Sequence, residues 1–140
     1  EDDSQEQEQN NMKSIHTELK KEGFEGWFFP SRESDRCVIT LVESKGNNIA
    51  NKGLTRWFNQ HGCCSLGLGK WQDHTQRDGL HEWPLEYFGK AMEWLKGHGI
   101  KKFGLYGISF GGNMALMAAS LYPDITLTIA CEAIDIVMEG

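Results

Sequence analysis

Phe103-Gly104-Leu105-Tyr106-Gly107-Ile108-Ser109-Phe110-Gly111-Gly112 decides the fold. Its first six residues form a short, mostly apolar run that includes Gly104 and Gly107, as expected of a buried strand. Residues 111–121 are small and apolar on most sides and stop before Pro123, as expected of a buried helix. Between them stands Gly107-Ile108-Ser109-Phe110-Gly111, a G-x-S-x-G pattern. By chance alone the pattern would turn up in roughly one chain of this length in twenty. Its position, at the end of a strand and the start of a helix, carries the information.

A turn that tight holds its central residue in strained backbone geometry. A Cβ two positions before or after would collide, and Gly107 and Gly111 remove it. The serine hydroxyl then stands clear at the C-terminal edge of the sheet, where open α/β sheets bind ligands. The helix N-terminus beneath it favours developing negative charge. In this reading Ser109 is a nucleophile and the Phe110 N–H an oxyanion donor. A second donor is expected from the turn after the preceding parallel strand, Glu43 to Gly46, with Ser44 as the candidate. The alternative is that Ser109 is an ordinary helix N-cap, a role serine favours. An N-cap does not need glycine on both sides.

Outward from this point the pattern repeats. Cys37–Val42 and Cys63–Leu68 read as buried strands, and 125–130 as another. Asn48–Gln60 reads as a helix with Ile49, Leu54, Trp57 and Phe58 on its apolar side, stopped by His61-Gly62. Pro84 opens a helix whose Leu85, Phe88, Met92 and Leu95 form an apolar stripe. Residues 14–35 hold an aromatic run ending at Pro30, read as one strand. Strands alternating with helices predict an α/β fold: a mostly parallel sheet with helices on both faces and right-handed crossovers.

Five of the chain's acidic residues, Glu1, Asp2, Asp3, Glu6 and Glu8, precede the first lysine, Lys13. They account for most of the net charge of -6, leaving -1 for the remainder. Residues 1–13 therefore read as a solvated, disordered acidic tail, and 14–140 as the folded part. The body has no basic face for nucleic acid. No apolar run reaches the roughly 18–20 residues of a membrane span, and the acidic start is the reverse of a signal peptide. Cys37, Cys63, Cys64 and Cys131 read as reduced core thiols, which favours a cytoplasmic setting. No metal cluster or dinucleotide loop is evident. Gly67-Leu68-Gly69 has Gln72 where a third glycine belongs and reads as a turn, so no cofactor is expected.

Leu85-Glu86-Tyr87-Phe88, the 104–112 stretch and Ile125-Thr126-Leu127-Thr128-Ile129-Ala130 together resemble the C-terminal catalytic domain of acyl-CoA thioesterases and bile acid-CoA:amino acid N-acyltransferases. Dienelactone-hydrolase-like esterases are close relatives. The resemblance covers about residues 36–131. It implies an α/β-hydrolase fold, here ending after the strand that follows the nucleophile helix, and a small-molecule ester or acyl-thioester substrate. Ser109 alone lands on a catalytic position of that family. The acyltransferase branch uses cysteine there, so serine points to hydrolysis. The family's acid and base follow the nucleophile in chain order, and no histidine follows Ser109. Glu132 and Asp135 come one strand too early, and Asp124 falls at the wrong end of the sheet. His61 and His98 end helices and are expected to contact the helix C-termini. His74 and His81, with Trp71 and Asp73, fall on a loop at the catalytic edge. The readings left open are a dienelactone-hydrolase-like esterase, a prolyl-oligopeptidase-like peptidase and a non-catalytic binding module. A sheet that ends at 125–130 also leaves an edge open to a missing C-terminal half or to self-association.

Overall fold

The computed structural model describes residues 13–42, 48–69 and 85–133. Six strands and four helices follow in the order β1 (Ile15–Thr17), α1 (Leu19–Glu22), β2 (Gly26–Phe29), β3 (Arg36–Val42), α2 (Asn48–Gln60), β4 (Cys64–Leu68), α3 (Glu86–Gly97), β5 (Lys102–Ile108), α4 (Phe110–Leu121) and β6 (Ile125–Cys131). They build one sheet in the order β1-β2-β4-β3-β5-β6. β1 and β2 run antiparallel to their neighbours, and β4, β3, β5 and β6 are mutually parallel. The segment read as one strand before Pro30 holds two, joined through α1. Gly23 at φ 83° ends that helix in the left-handed region, which suits glycine.

Residues in register share a face of the sheet. One row across it is Ile15, Phe28, Leu66, Ile39, Leu105 and Thr128. From Phe28 to Leu105 it is almost wholly excluded from water. α3 and α4 cover it with Phe88, Met92, Leu95, Met114, Ala115 and Ala118, so the stripe read from Leu85, Phe88, Met92 and Leu95 is the core face of its helix. The opposite row is His16, Trp27, Gly67, Thr40, Tyr106 and Ile129. α2 packs on its small members.

α2 departs from expectation. Its inward side chains are Asn51 and Thr55, 1% and 0% exposed, while Trp57 is 51% exposed. Ile49's side chain lies outside the described set. The reason is a polar network under the helix. Thr55 Oγ1 lies 2.7 Å from Thr40 Oγ1 and donates to Asn51 O. Asn51 Nδ2 donates to Thr40 O and Leu68 O, and Ser65 Oγ donates to Thr55 O. Gly67 is required here, because a Cβ would meet Thr55 Oγ1 at 2.6 Å. Small and hydroxyl-bearing strand residues thus draw α2 close and tie β3 to β4.

All four cysteines are free thiols. Cys37 and Cys64 are buried as expected, whereas Cys63 and Cys131 are only partly so.

Candidate functional site

β5 delivers Ser109 to the C-terminal edge of the parallel strands, and α4 begins immediately after it. Ser109 adopts φ 58°, ψ -123°, and its side chain makes no capping hydrogen bond. An N-cap serine ordinarily has extended backbone and uses its oxygen as an acceptor; Ser109, at the N-cap position, does neither. Positive φ in a non-glycine residue costs on the order of 1–3 kcal/mol and persists only where the surroundings impose it.

Those surroundings are identifiable. A Cβ on Gly107 would strike the Gly111 carbonyl, and a Cβ on Gly111 would strike the Leu41 carbonyl of β3. The collision avoided at Gly111 is therefore with the neighbouring strand, not across the turn as the motif alone suggests. The Ser109 N–H donates to Cys131 O (2.9 Å), which fastens the turn to the end of β6. Ser109 O accepts from Gly112 N–H (2.9 Å) and Asn113 N–H (3.2 Å). Within the helix this leaves the N–H groups of Phe110 and Gly111 without an acceptor, at the positive end of the α4 dipole. Ser109 itself is exposed.

Other expected site residues divide sharply. Ser44 and residues 43–47, read as a turn, lie outside the described residues, as do Trp71, Asp73, His74, His81 and Asp135. His61 and His98 sit at helix ends, their Nδ1 atoms 2.7 Å from Trp57 O and 2.9 Å from Trp94 O. They occupy the edge opposite Ser109. Asp124 bonds Lys96 Nζ at 2.8 Å, also at that edge. Glu132 follows β6 at the same edge as Ser109, exposed and with φ 54°. Tyr87 is buried in the core.

Asn51 was not foreseen. It donates to the carbonyls of Thr40 in β3 and of Leu68, the last residue of β4, and its Oδ1 is buried without a partner. The sequence signal was there: Asn51 and Thr55 stand four apart on a helix, facing Thr40 and Ser65 in otherwise apolar strands.

A groove of about 450 Å³, lined in part by Phe28, Pro30, Arg32, Cys64, His98 and Ile100, opens at the N-terminal ends of the parallel strands. It is remote from Ser109. Among the described residues no group of His, Cys, Asp or Glu could hold a metal ion. No described helix is long and apolar enough to cross a membrane.

The overall fold is shared with solved proteins. A dienelactone hydrolase from Klebsiella pneumoniae subsp. pneumoniae superposes with a TM-score of 0.73 over 93% of this chain and 64% of that one, at 16% identity. The chain has the α/β-hydrolase fold. An esterase from Pyrococcus furiosus gives 0.69 over 89% and 50%, at 18% identity. In sequence, the chain is 27% identical over 117 residues to a polyketide transferase from a Penicillium species, covering 75% of this chain and 39% of that protein. Residues 83–140 match a family described as BAAT / Acyl-CoA thioester hydrolase C terminal. The chain thus spans about two fifths to two thirds of the length of these relatives.

Proposed function

We propose that this chain carries the nucleophile of a serine hydrolase acting on an ester or acyl thioester. The observation that carries the reading is Ser109 at φ 58°, held between a buried strand and a helix by two glycines that tolerate no Cβ. The strain has no evident use in a residue that only caps a helix.

In this mechanism the Ser109 hydroxyl oxygen attacks the acyl carbonyl as a base removes its proton. The carbonyl π electrons move onto oxygen, and the Phe110 N–H donates to that oxyanion. The candidate for a second donor is Ser44, within Glu43 to Gly46. Collapse expels the alcohol or thiol, which takes the proton back from the base, and leaves the acyl group on Ser109. Water, deprotonated by the same base, then releases the carboxylic acid.

The base and its orienting acid are expected beyond residue 140. No histidine follows Ser109, and His61 and His98 are held at the opposite edge. The match of residues 83–140 to an acyl-CoA thioester hydrolase family favours a thioester. The similarity to a polyketide transferase supports a second reading, in which a nucleophile other than water accepts the acyl group. Dienelactone-type esters remain the alternative substrate class, on the likeness to a dienelactone hydrolase.

The test is a fluorophosphonate treatment of the protein purified from the organism that makes it, followed by intact mass and peptide mapping. One adduct on Ser109, lost in Ser109→Ala together with thioesterase or esterase turnover, is the expected result. A protein that turns over these substrates with Ser109 unlabelled would sink the mechanism.

A further inference from the structure

The groove at the N-terminal ends of the parallel strands lies across the sheet from Ser109. Its volume of about 450 Å³ falls within the roughly 300–1,000 Å³ usual for small-molecule sites. Its floor is apolar: Phe28, Cys64 and Ile100 are almost wholly buried, with Pro30 beside them. Its rim is basic. Lys13, Arg32 and His98 are all exposed there, and no acidic residue lines the groove. That lining is selective in a chain with 20 acidic residues against 14 lysines and arginines.

The walls are held in place. Asn59 Nδ2 donates to Phe29 O, Pro30 O and Cys63 O at 3.2, 3.0 and 3.1 Å, which moors the segment after β2. The Ser31 N–H donates to Cys64 Sγ at 3.3 Å, and that thiol lies 3.3 Å from Ser34 O. His98 is fixed in turn. Its Nδ1 lies 2.9 Å from Trp94 O. Its ring sits against Trp94 with centroids 3.9 Å apart and meets Phe28 edge-on at 5.8 Å. A carbonyl oxygen only accepts, so Nδ1 carries the proton. Nε2 is left to accept in the neutral ring and to donate in the imidazolium. A preformed site spares a ligand the cost of ordering it.

We propose that this groove binds a small amphipathic anion, a carboxylate or phosphate monoester with an apolar tail. The tail lies on Phe28, Pro30 and Ile100, and the head meets Arg32 and Lys13 beside His98. The arginine fork matches either head. The acidic start of the chain matches the rim in charge but not the floor, because residues 1–11 contain no apolar side chain. A bare inorganic anion fails on the same ground. A neutral apolar molecule leaves the basic rim unmatched. The site goes beyond the proposed function, since a ligand held here leaves Ser109 free. It rests on the groove rather than on Ser109 chemistry, so either can fail alone.

The test is titration calorimetry of the protein, in the length its source organism makes, with octanoate and with octyl phosphate. At least one of them is expected to fill a saturable site with a Kd of about 1 mM or tighter, and which one binds tells carboxylate from phosphate. Octanol, which lacks the charge, should bind at least about tenfold more weakly, and so should acetate and inorganic phosphate, which lack the tail. Arg32→Gln with Lys13→Gln should weaken the site about tenfold or more, by removing two charge-assisted contacts. Both residues are exposed, so the melting point of the double variant should not move. Affinity unchanged in that variant, octanol bound as tightly as the anions, or no saturation by about 10 mM overturns the proposal. So does a site that opens only when residues 1–11 are cut away, because its occupant is then the chain's own acidic segment.

Discussion

Ser109 and its two glycines divide the cost of one turn between them. Ser109 holds an unfavourable φ of 58°; Gly107 and Gly111 hold positions where any side chain meets backbone. Substitutions should therefore act in opposite directions. Ser109→Gly removes strain of order 1–3 kcal/mol and adds unfolded-state entropy of roughly 0.5–1 kcal/mol. A net stabilisation of about 1 kcal/mol is expected in urea denaturation. Gly107→Ala and Gly111→Ala force backbone against backbone and should each cost about 3 kcal/mol, the upper end of ordinary overpacking. Equal, small effects at all three positions would mean the turn is slack and the strain argument wrong. The need for glycine was legible in the sequence at both positions. The identity of the obstacle at Gly111 was not, because Leu41 lies 70 residues away and becomes a neighbour only through the β3–β5 pairing.

At the scale of elements, α2 is the informative case. Its apolar residues suggested an inward Leu54 and Trp57, but the helix seats Asn51 and Thr55 instead. Strands flanked on both sides read as continuous apolar runs, so Thr40 and Ser65 looked incidental until register placed them beneath one helix. Boundaries of α2, β5, α4 and β6 fell within about a residue of the reading, because glycine, proline and capping signals are local. Partnership between elements is not. The network makes a strong prediction. Asn51→Ala strips a donor from Thr40 O and Leu68 O and should cost about 2–3 kcal/mol, since each buried orphan costs on the order of 1–3 kcal/mol. Removing the unpaired Oδ1 offsets part of that. Thr55→Val strips Thr40 Oγ1 of its partner and frees Asn51 O, at about 1–2 kcal/mol. The two side chains share this network, so the double variant should cost less than the two together. Additive losses in equilibrium unfolding would show that they act independently.

Across the described residues, the resolved titration shifts share one sign. Burial, reinforced by the neighbouring Cys64 and Cys63, pushes the Cys37 thiol well above its ordinary 9.0, and burial raises Cys64 from the same value. The bond with Cys131 raises Tyr106 from 10.0, and the hydrogen bond to Asp124, then that to Glu93, raises Lys96 from 10.5. A group raised in the folded state keeps its proton longer there than in the unfolded chain. Its contribution is fully present below the unfolded value and is lost as pH climbs through the folded one. The molecule should therefore hold constant stability from these groups up to about pH 9 and weaken above it, thiols first. Cys37 leads because it is enclosed between β3 and the covering helices, with a second thiol, Cys64, opposite it in register on β4. Once its unfolded form ionises, this one group removes about 1.4 kcal/mol per pH unit. Cys37→Val keeps the site apolar and similar in size, and removes the titration. Its unfolding free energy should match the wild type's pH dependence up to about pH 8.5, then fall less steeply between pH 9 and 10. Two curves that stay parallel through that interval would show that the buried thiol does not set the alkaline limit, and would shift attention to Tyr106 and Lys96, whose losses begin about one pH unit or more higher.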